Sequence, residues 1–296
     1  DPLARSLAAV LPRMRDYPAS VAQFSKNSQP YQVGDTFRQP DLALTLSRIR
    51  LHGPAGFYEG QTADRIAAEM AANGGIMTHA DLAAYRAVRR TPITGTYRGY
   101  GIISMPPISS GGVAVIEMLN VLEGYDLAAS GSGSAATTHL IIEAMRRAYA
   151  DRAKSLGDPD FNARMPVAQL TSKDYAAELR ATINLDRASV SSPDSFSWPA
   201  EGDETTHVAV VDGARNAVSL TYTLEQGYGS KITVPGAGFL LNNEMGDFNP
   251  APGLTTRTGR IGTDPNLAEP GKRMLSSMTP TIVSRDGRVF MVTGSP

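Results

Sequence analysis

The sequence contains no cysteine and only one tryptophan among its 296 residues. Without cysteine there are no disulfide bonds, no thiol nucleophile and no thiolate ligands for a metal. Charge is nearly balanced, with 28 basic and 29 acidic residues and a formal net charge of −1. Because no basic block stands out, we expect no nucleic-acid partner. No apolar run approaches the length of a membrane span, so we expect no membrane span in this chain.

The histidines are few, and they are scattered along the chain. They are His52, His79, His139 and His207. No two of them have the spacing that is typical of metal ligands. We therefore expect no metal site and no cofactor.

The composition is that of a folded protein. Apolar residues make up 42% of the chain and charged residues 19%, enough to build a sizeable core. Apolar residues recur at helical spacing mainly in the first two thirds of the chain. From this spacing we predict helices at 3–14, 40–51, 62–72, 113–127, 134–155 and near 172–183. Thr78 precedes Asp81 by three residues and predicts an N-terminal helix cap there.

The pattern changes to alternating apolar and polar residues in the last third, which is typical of strands. We predict a hairpin over 206–224, a short strand at 238–243 and a second hairpin over 279–294. Further strands are predicted within 91–107. Helices followed by antiparallel strands indicate a layered α+β domain.

Residues 186–204 are dense in Ser, Pro, Asp and Gly and contain few apolar side chains. Such a composition buries too little surface to offset the entropy of ordering the chain. We predict a mobile linker, and it ends at Thr205, which opens the first predicted hairpin.

A threonine in this position has two interpretations. If the Glu204–Thr205 peptide bond is broken, the α-amine of Thr205 can act as the base for its own hydroxyl. An α-amine has a pKa of about 7.7–8.0, close to the optimum for a general base at neutral pH. Alternatively, Thr205 is a structural residue at the start of a strand, and the dipeptide alone does not decide.

Longer motifs bear on the choice between these two interpretations of Thr205. The segments 204–230, 236–253 and 270–296 include the stretches "ETTHVAVVDG", "NNEMGDF" and "KRMLSSM". Together with "DLAAYRAVRRTPITGTYRGY" and "SMPPISSGG" upstream, they resemble the γ-glutamyltranspeptidases, or glutathione hydrolases. The resemblance implies an N-terminal-nucleophile hydrolase with a four-layer αββα sandwich. It also implies a precursor that cleaves itself at Glu204–Thr205, after which both parts form one integrated domain. Residues 1–204 would be the C-terminal part of the large subunit, and 205–296 the N-terminal part of the small subunit.

The resemblance also assigns roles to individual side chains. Thr205 corresponds to the nucleophile, and Thr223 to a threonine whose hydroxyl bonds in the nucleophile's environment. The other assigned residues bind the substrate and are Glu225, Glu244, Asp247, Ser276 and Ser277. Many relatives have Asn at position 225 and Asp at 246, where this chain has Glu and Gly. The segment 250–264 is similar to the lid over the pocket.

The chemistry of these residue types agrees with the implied roles. A γ-glutamyl group carries an ammonium and a carboxylate on one carbon. The carboxylates of Glu244 and Asp247 suit the ammonium, and the hydroxyls of Ser276 and Ser277 suit the carboxylate.

We therefore expect hydrolysis and transfer of the γ-glutamyl group of glutathione or related compounds, through a γ-glutamyl-threonine intermediate. The acceptor would be water, an amino acid or a peptide, and the location the periplasm or the cell exterior. Two alternatives stay open. One is a related acylase, such as a cephalosporin acylase or a γ-polyglutamate transpeptidase. The other is an uncleaved, inactive member with a binding or structural role.

Both ends of the chain fall short of the family pattern. Relatives have two consecutive glycines after "GSP", whose backbone N–H groups form the oxyanion hole, and an arginine upstream that clamps the α-carboxylate. We expect this chain to be a truncated piece of the enzyme and to be inactive by itself.

Two smaller features have alternative interpretations. The segment "PISSGG" at 107–112 could cradle an anion at a helix N-terminus, but we favour a structural turn. His207 could assist processing at Thr205, but we favour a packed or hydrogen-bonded imidazole.

Overall fold

A computed structural model describes residues 2–190, 205–249, 251–252 and 263–295. The chain divides into two compact units. Unit 1 comprises Asp1–Arg89 and Gln226–Asn243, and unit 2 comprises Arg90–Glu225 and Glu244–Pro296. Most of the predicted linker and most of the predicted lid lie outside the described residues.

Unit 1 is built mainly from helices. They are α1 (Pro2–Val10), α2 (Pro18–Phe24), α3 (Pro40–His52), α4 (Ala55–Tyr58), α5 (Gly60–Ala72) and α6 (His79–Ala84). The helices predicted at 3–14, 40–51 and 62–72 are confirmed, the first continuing as a 3₁₀ turn over Leu11–Met14. The predicted cap of α6 is also confirmed, since the Thr78 side chain accepts a hydrogen bond from the backbone N–H of Asp81.

The segment 226–243 is anchored to these helices by buried hydroxyls. The Ser20 hydroxyl donates to the carbonyl of Lys231 at 2.7 Å, and the Thr45 hydroxyl donates to that of Ala237 at 2.8 Å. The strand predicted at 238–243 is wrong, because only Leu240 forms a single isolated bridge. Its neighbour Gly238 adopts a positive φ of 74°, and the tight turn there leaves no extended ladder.

Unit 2 contains both sheets and the remaining helices. Its strands are β1 (Ile93–Tyr97), β2 (Tyr100–Ser104), β3 (Thr205–Val211), β4 (Ala217–Thr223), β5 (Thr281–Arg285) and β6 (Arg288–Thr293). Its helices are α7 (Gly111–Leu122), α8 (Leu127–Ser130), α9 (Ala135–Ser155), α10 (Val167–Leu170) and α11 (Lys173–Ala181). Both predicted hairpins are confirmed, as are the strands within 91–107 and the long helix, which is capped by Ser134.

The larger sheet is antiparallel, with strand order β1-β2-β5-β6. One face packs on α7, where Ile93, Ile102 and Val283 form a core with Val113 and Ile116. This helix-on-sheet packing is the α+β arrangement predicted from the sequence.

The hairpin β3–β4 lies next to the end of β6. The Ser219 hydroxyl of β4 donates to the carbonyl of Thr293 at 2.9 Å. In the ladder, Thr205 is the Cα partner of Thr223. The two threonines therefore share the open end of the hairpin.

A buried acid cluster joins three helices behind the sheet. Glu117 of α7 is 1% exposed and is hydrogen-bonded to Asp151 of α9. Asp151 also accepts a hydrogen bond from the Tyr175 hydroxyl of α11 at 2.6 Å. Burial, reinforced by the charge of Asp151, raises the pKa of Glu117 to about 9. Glu117 is therefore protonated at neutral pH.

This proton makes stability depend on pH. The folded-state pKa of Glu117 exceeds its unfolded value, so the folded state binds the extra proton at intermediate pH. We expect the free energy of unfolding to fall as pH rises from about 4.5 to about 9. Glu117→Gln does not titrate and should flatten this fall, which urea unfolding at pH 6 and pH 9 would measure.

Glu123→Gln is the matched control for this prediction. Hydrogen bonds from the Arg98 backbone and the Lys173 side chain lower the pKa of Glu123, so it does not titrate in that interval. Its replacement should leave the pH slope unchanged. An equal slope in Glu117→Gln and the unmodified protein would contradict the prediction.

Candidate active site

The candidate nucleophile lies at the open end of the β3–β4 hairpin. Thr205 is the first residue of β3 and is partly exposed. Opposite it, the Thr223 hydroxyl accepts a hydrogen bond from the backbone N–H of Glu225 at 2.8 Å. Glu225 adopts a positive φ of 74°, so the chain turns sharply directly after β4. The turn places the Glu225 side chain next to the acidic residues of 244–247.

Residues Glu244–Asp247 form a 3₁₀ turn, which we call the acidic segment. The Glu225 carboxylate lies against Gly246, where a Cβ atom would be only 2.9 Å from its Oε2 atom. A side chain at 246 would displace that carboxylate. The chain thus brings the three acidic side chains of Glu225, Glu244 and Asp247 together.

The crowding of carboxylates changes their ionisation. Burial, followed by the charges of Asp247 and Glu225, raises the pKa of Glu244 to about 7. A proton on Glu244 therefore relieves repulsion within the cluster at neutral pH. A bound cation would displace that proton, since an opposite charge nearby favours the ionised carboxyl. The cluster is suited to binding an ammonium group.

The candidate carboxylate-binding hydroxyls lie in residues Leu275–Ser277, which we call the serine segment. The backbone of Ser276 pairs with the "PISSGG" turn in both directions. Its N–H donates to the carbonyl of Ile108 at 3.0 Å, and its carbonyl accepts from the N–H of Ser110 at 2.9 Å. The Ser276 hydroxyl accepts from the N–H of Met278 at 3.1 Å.

The "PISSGG" segment is filled by protein. The Ser109 hydroxyl donates to the carbonyl of Met278 at 2.6 Å, and a Cβ on Gly111 would lie 2.7 Å from the same oxygen. Arg152 of α9 in turn donates to the Ser110 hydroxyl at 2.5 Å. The structural-turn interpretation is confirmed, and the turn holds the serine segment in place.

His207 is also explained by packing. Its Nδ1 atom is 2.8 Å from the Thr221 hydroxyl, and its ring lies against Gly294, where a Cβ would be 2.2 Å away. The packed, hydrogen-bonded imidazole is confirmed. His207 is two residues from Thr205 and so lies on the same face of β3. It therefore packs Gly294, the residue that follows β6, against the face of β3 that also carries Thr205.

Of the predicted site residues, all but Glu204 are described, and all the described ones lie in unit 2. Strand pairing links Thr205 to Thr223, a hydrogen bond links Thr223 to Glu225, and the Glu225 side chain contacts the acidic segment. One link was not predicted. Asn266 bonds both Asp247 and Leu275, and no local motif marks it because its partners are 19 and nine residues away.

In the described part of the chain, no group of three or more His, Asp or Glu side chains could hold a metal ion. Within the same residues, every helix is too short or too polar to cross a membrane.

Comparison with known proteins gives the family. The profile of the family described as Gamma-glutamyltranspeptidase matches residues 1–296. The glutathione hydrolase proenzyme of Escherichia coli K12 is 48% identical over 280 residues, which cover 94% of this chain and 48% of that protein. The acylase ACY 1 proenzyme of Pseudomonas sp. SE83 is 40% identical over 284 residues, covering 94% and 48%.

The fold also matches a solved structure. The crystal structure of cephalosporin acylase from Bacillus halodurans superposes with a TM-score of 0.79 at 27% identity, covering 98% of this chain and 51% of that one. The chain therefore spans about half the length of the relatives it matches. The full-length profile match and the identity to glutathione hydrolase proenzymes show that this chain belongs to the γ-glutamyltranspeptidase family.

Proposed function

We propose that the full-length protein transfers and hydrolyses the γ-glutamyl group of glutathione or related compounds, with Thr205 as nucleophile. The observation that carries the proposal is the shared end of the β3–β4 hairpin. There Thr205 pairs with Thr223, whose hydroxyl leads through Glu225 to a carboxylate cluster. A nucleophile and an ammonium-binding group thus belong to one connected set of contacts.

The reaction begins once the Glu204–Thr205 bond has been cleaved. The α-amine of Thr205 takes the hydroxyl proton as Oγ1 attacks the γ-carbonyl carbon of the donor. The C–N bond to the leaving amine then breaks, and that amine receives the proton, leaving a γ-glutamyl ester on Thr205. Water or an acceptor amine attacks the ester and restores the hydroxyl. Thr223 accepts its hydrogen bond from Glu225, so its own hydroxyl proton is available for Thr205.

Recognition of the donor uses both charged groups on its α-carbon, the ammonium and the carboxylate. Glu225, Glu244 and Asp247 bind the ammonium, and the hydroxyls of Ser276 and Ser277 bind the carboxylate. Charge-assisted hydrogen bonds of this kind are about twice as strong as neutral ones. Because Glu244 has a raised pKa, donor binding should release a proton near neutral pH.

The precursor arrangement belongs to the same proposal. The Escherichia coli relative is named a proenzyme, which supports a precursor cut at Glu204–Thr205 into a large and a small subunit. Residues 1–204 would belong to the large subunit, 205–296 to the small one, and 250–264 to a lid. Location outside the cytoplasm, in the periplasm or beyond the cell, is part of this proposal because the family resemblance implies it.

A second candidate is an acylase acting on other acyl groups. It is favoured by 40% identity to an acylase proenzyme and by the fold match to a cephalosporin acylase. A glutaryl donor lacks the α-ammonium, however, and would bring no positive charge to this carboxylate cluster. The carboxylate cluster therefore favours γ-glutamyl donors.

The test uses the purified full-length protein. We expect two polypeptides on a denaturing gel, the smaller beginning at Thr205, and a kcat/KM for γ-glutamyl-para-nitroanilide far above that for glutaryl-para-nitroanilide. A preference for the glutaryl compound would establish the acylase instead. A single uncleaved polypeptide without turnover would favour the binding or structural alternative.

A further inference from the structure

The two substrate-binding segments face a geometric constraint. The ammonium and the carboxylate of a γ-glutamyl donor are attached to one carbon, so their separation is fixed. The acidic segment and the serine segment must therefore keep a fixed separation too. Along the chain, however, 27 residues lie between Asp247 and Leu275. A side chain that bonds both segments at once would provide this constraint.

Asn266 is such a side chain. Its Nδ2 atom donates to the carbonyl of Asp247 at 2.7 Å, and its Oδ1 atom accepts from the backbone N–H of Leu275 at 2.9 Å. Asp247 is the last residue of the acidic segment, and Leu275 is the first residue of the serine segment. One carboxamide therefore joins the two segments directly.

A carboxamide matches the two backbone groups that Asn266 contacts. The Leu275 N–H needs an acceptor and the Asp247 carbonyl needs a donor, and Asn supplies one of each. An aspartate at position 266 would place an acceptor against the Asp247 carbonyl, which is itself an acceptor. An alanine there would remove both hydrogen bonds. Asn266 is 5% exposed, so water does not readily replace it.

Asn266 is itself held by the surrounding backbone. Its carbonyl accepts from the N–H of Asn249 at 2.9 Å, and Leu267 forms a parallel bridge with Asn249. Nearer the serine segment, the fully buried Asp158 accepts from the N–H of Arg273 at 2.9 Å. The residue that bridges the two segments is thus itself hydrogen-bonded to the neighbouring backbone.

We propose that Asn266 is a positioning residue that sets the distance between the ammonium-binding and carboxylate-binding segments. The inference rests on the proposed function, because it concerns donors that carry both groups. Asn266 acts through Asp247 and the serine segment. Its contribution is that the ammonium and the carboxylate of one donor molecule can bind to their two segments at the same time.

This role predicts a specific kinetic pattern. The full-length enzyme and Asn266→Ala would be compared on three para-nitroanilides: γ-glutamyl, which has both groups; glutaryl, which lacks the ammonium; and γ-aminobutyryl, which lacks the carboxylate. We expect Asn266→Ala to lower kcat/KM about tenfold or more for the γ-glutamyl donor, mainly through KM. The two donors with a single group should change about threefold or less, because they do not depend on the spacing.

The outcomes separate this role from a general structural one. An equal fall for all three donors, or a fall in kcat alone, would overturn the inference while leaving the proposed function intact. If the unmodified enzyme does not prefer the γ-glutamyl donor, the proposed function fails, and the inference fails with it.

Asn249→Ala is the matched control. The Asn249 side chain donates to the carbonyl of Thr263 at 2.7 Å, in the same neighbourhood but without bonding the serine segment. Its loss should affect all three donors alike. If Asn266→Ala does not mature, Asn266→Asp carries the same test, because it keeps the acceptor for Leu275 and loses the donor to Asp247.

Discussion

Replacement of Thr205 by alanine should leave an uncleaved precursor without detectable γ-glutamyl transfer. The variant lacks the oxygen that attacks the donor, and it lacks the same oxygen for cleavage of the preceding peptide bond. Removing a covalent nucleophile lowers kcat by about 10³-fold or more in hydrolases. A denaturing gel and release of para-nitroaniline from the γ-glutamyl donor would measure both effects.

Two further variants make this result specific. Thr205→Ser keeps a hydroxyl beside the α-amine and should still yield two polypeptides and measurable turnover. Thr94→Ala removes an exposed threonine hydroxyl from β1 and should behave like the unmodified enzyme. Normal cleavage or turnover in Thr205→Ala would refute the assignment of the nucleophile.

The second large effect is expected at Asp247. Asp247→Asn keeps the shape of the side chain but removes one negative charge from the ammonium-binding cluster. Hydrogen bonds to charged groups contribute about 1.5–3 kcal/mol, so kcat/KM for the γ-glutamyl donor should fall about 10- to 150-fold. The glutaryl donor has no ammonium to lose, and its rate should hold or rise. The ratio of the two kcat/KM values is the measurement.

A pH profile adds an independent readout to the same variant. The charge of Asp247 is one of the causes that raise the pKa of Glu244. Asp247→Asn should therefore move the ionisation of Glu244 towards lower pH. Asp212→Asn, which changes a carboxylate in the β3–β4 turn, is the control and should leave the ratio and the profile unchanged. An unchanged donor ratio in Asp247→Asn would contradict the binding role.

Local elements could be predicted from the sequence where a short pattern determines them. The cap formed by Thr78 and Asp81 and both hairpins depend on neighbours within a few residues, and the structure confirms them. The strand at 238–243 was predicted wrongly because its first residue, Gly238, lies in a turn, and the apolar residues after it form only one isolated bridge, at Leu240. Helix α2 has only seven residues, too few for a clear helical period.

The candidate site could likewise be predicted only in part from the sequence. The identities of Thr205, Glu244, Asp247, Ser276 and Ser277 could be proposed from motifs in the sequence. The contact of Glu225 with Gly246 and the bonds of Asn266 could not, since they join residues that are far apart along the chain.

The sequence by itself determined the balance of charge, the absence of thiol chemistry, the local elements and the family. Only the tertiary structure decided how those parts meet. It pairs β2 with β5, gives Glu244 its raised pKa and joins the acidic and serine segments through one buried amide. The physical reason is that hydrogen bonding, burial and electrostatic coupling depend on distance in space, which sequence spacing does not specify.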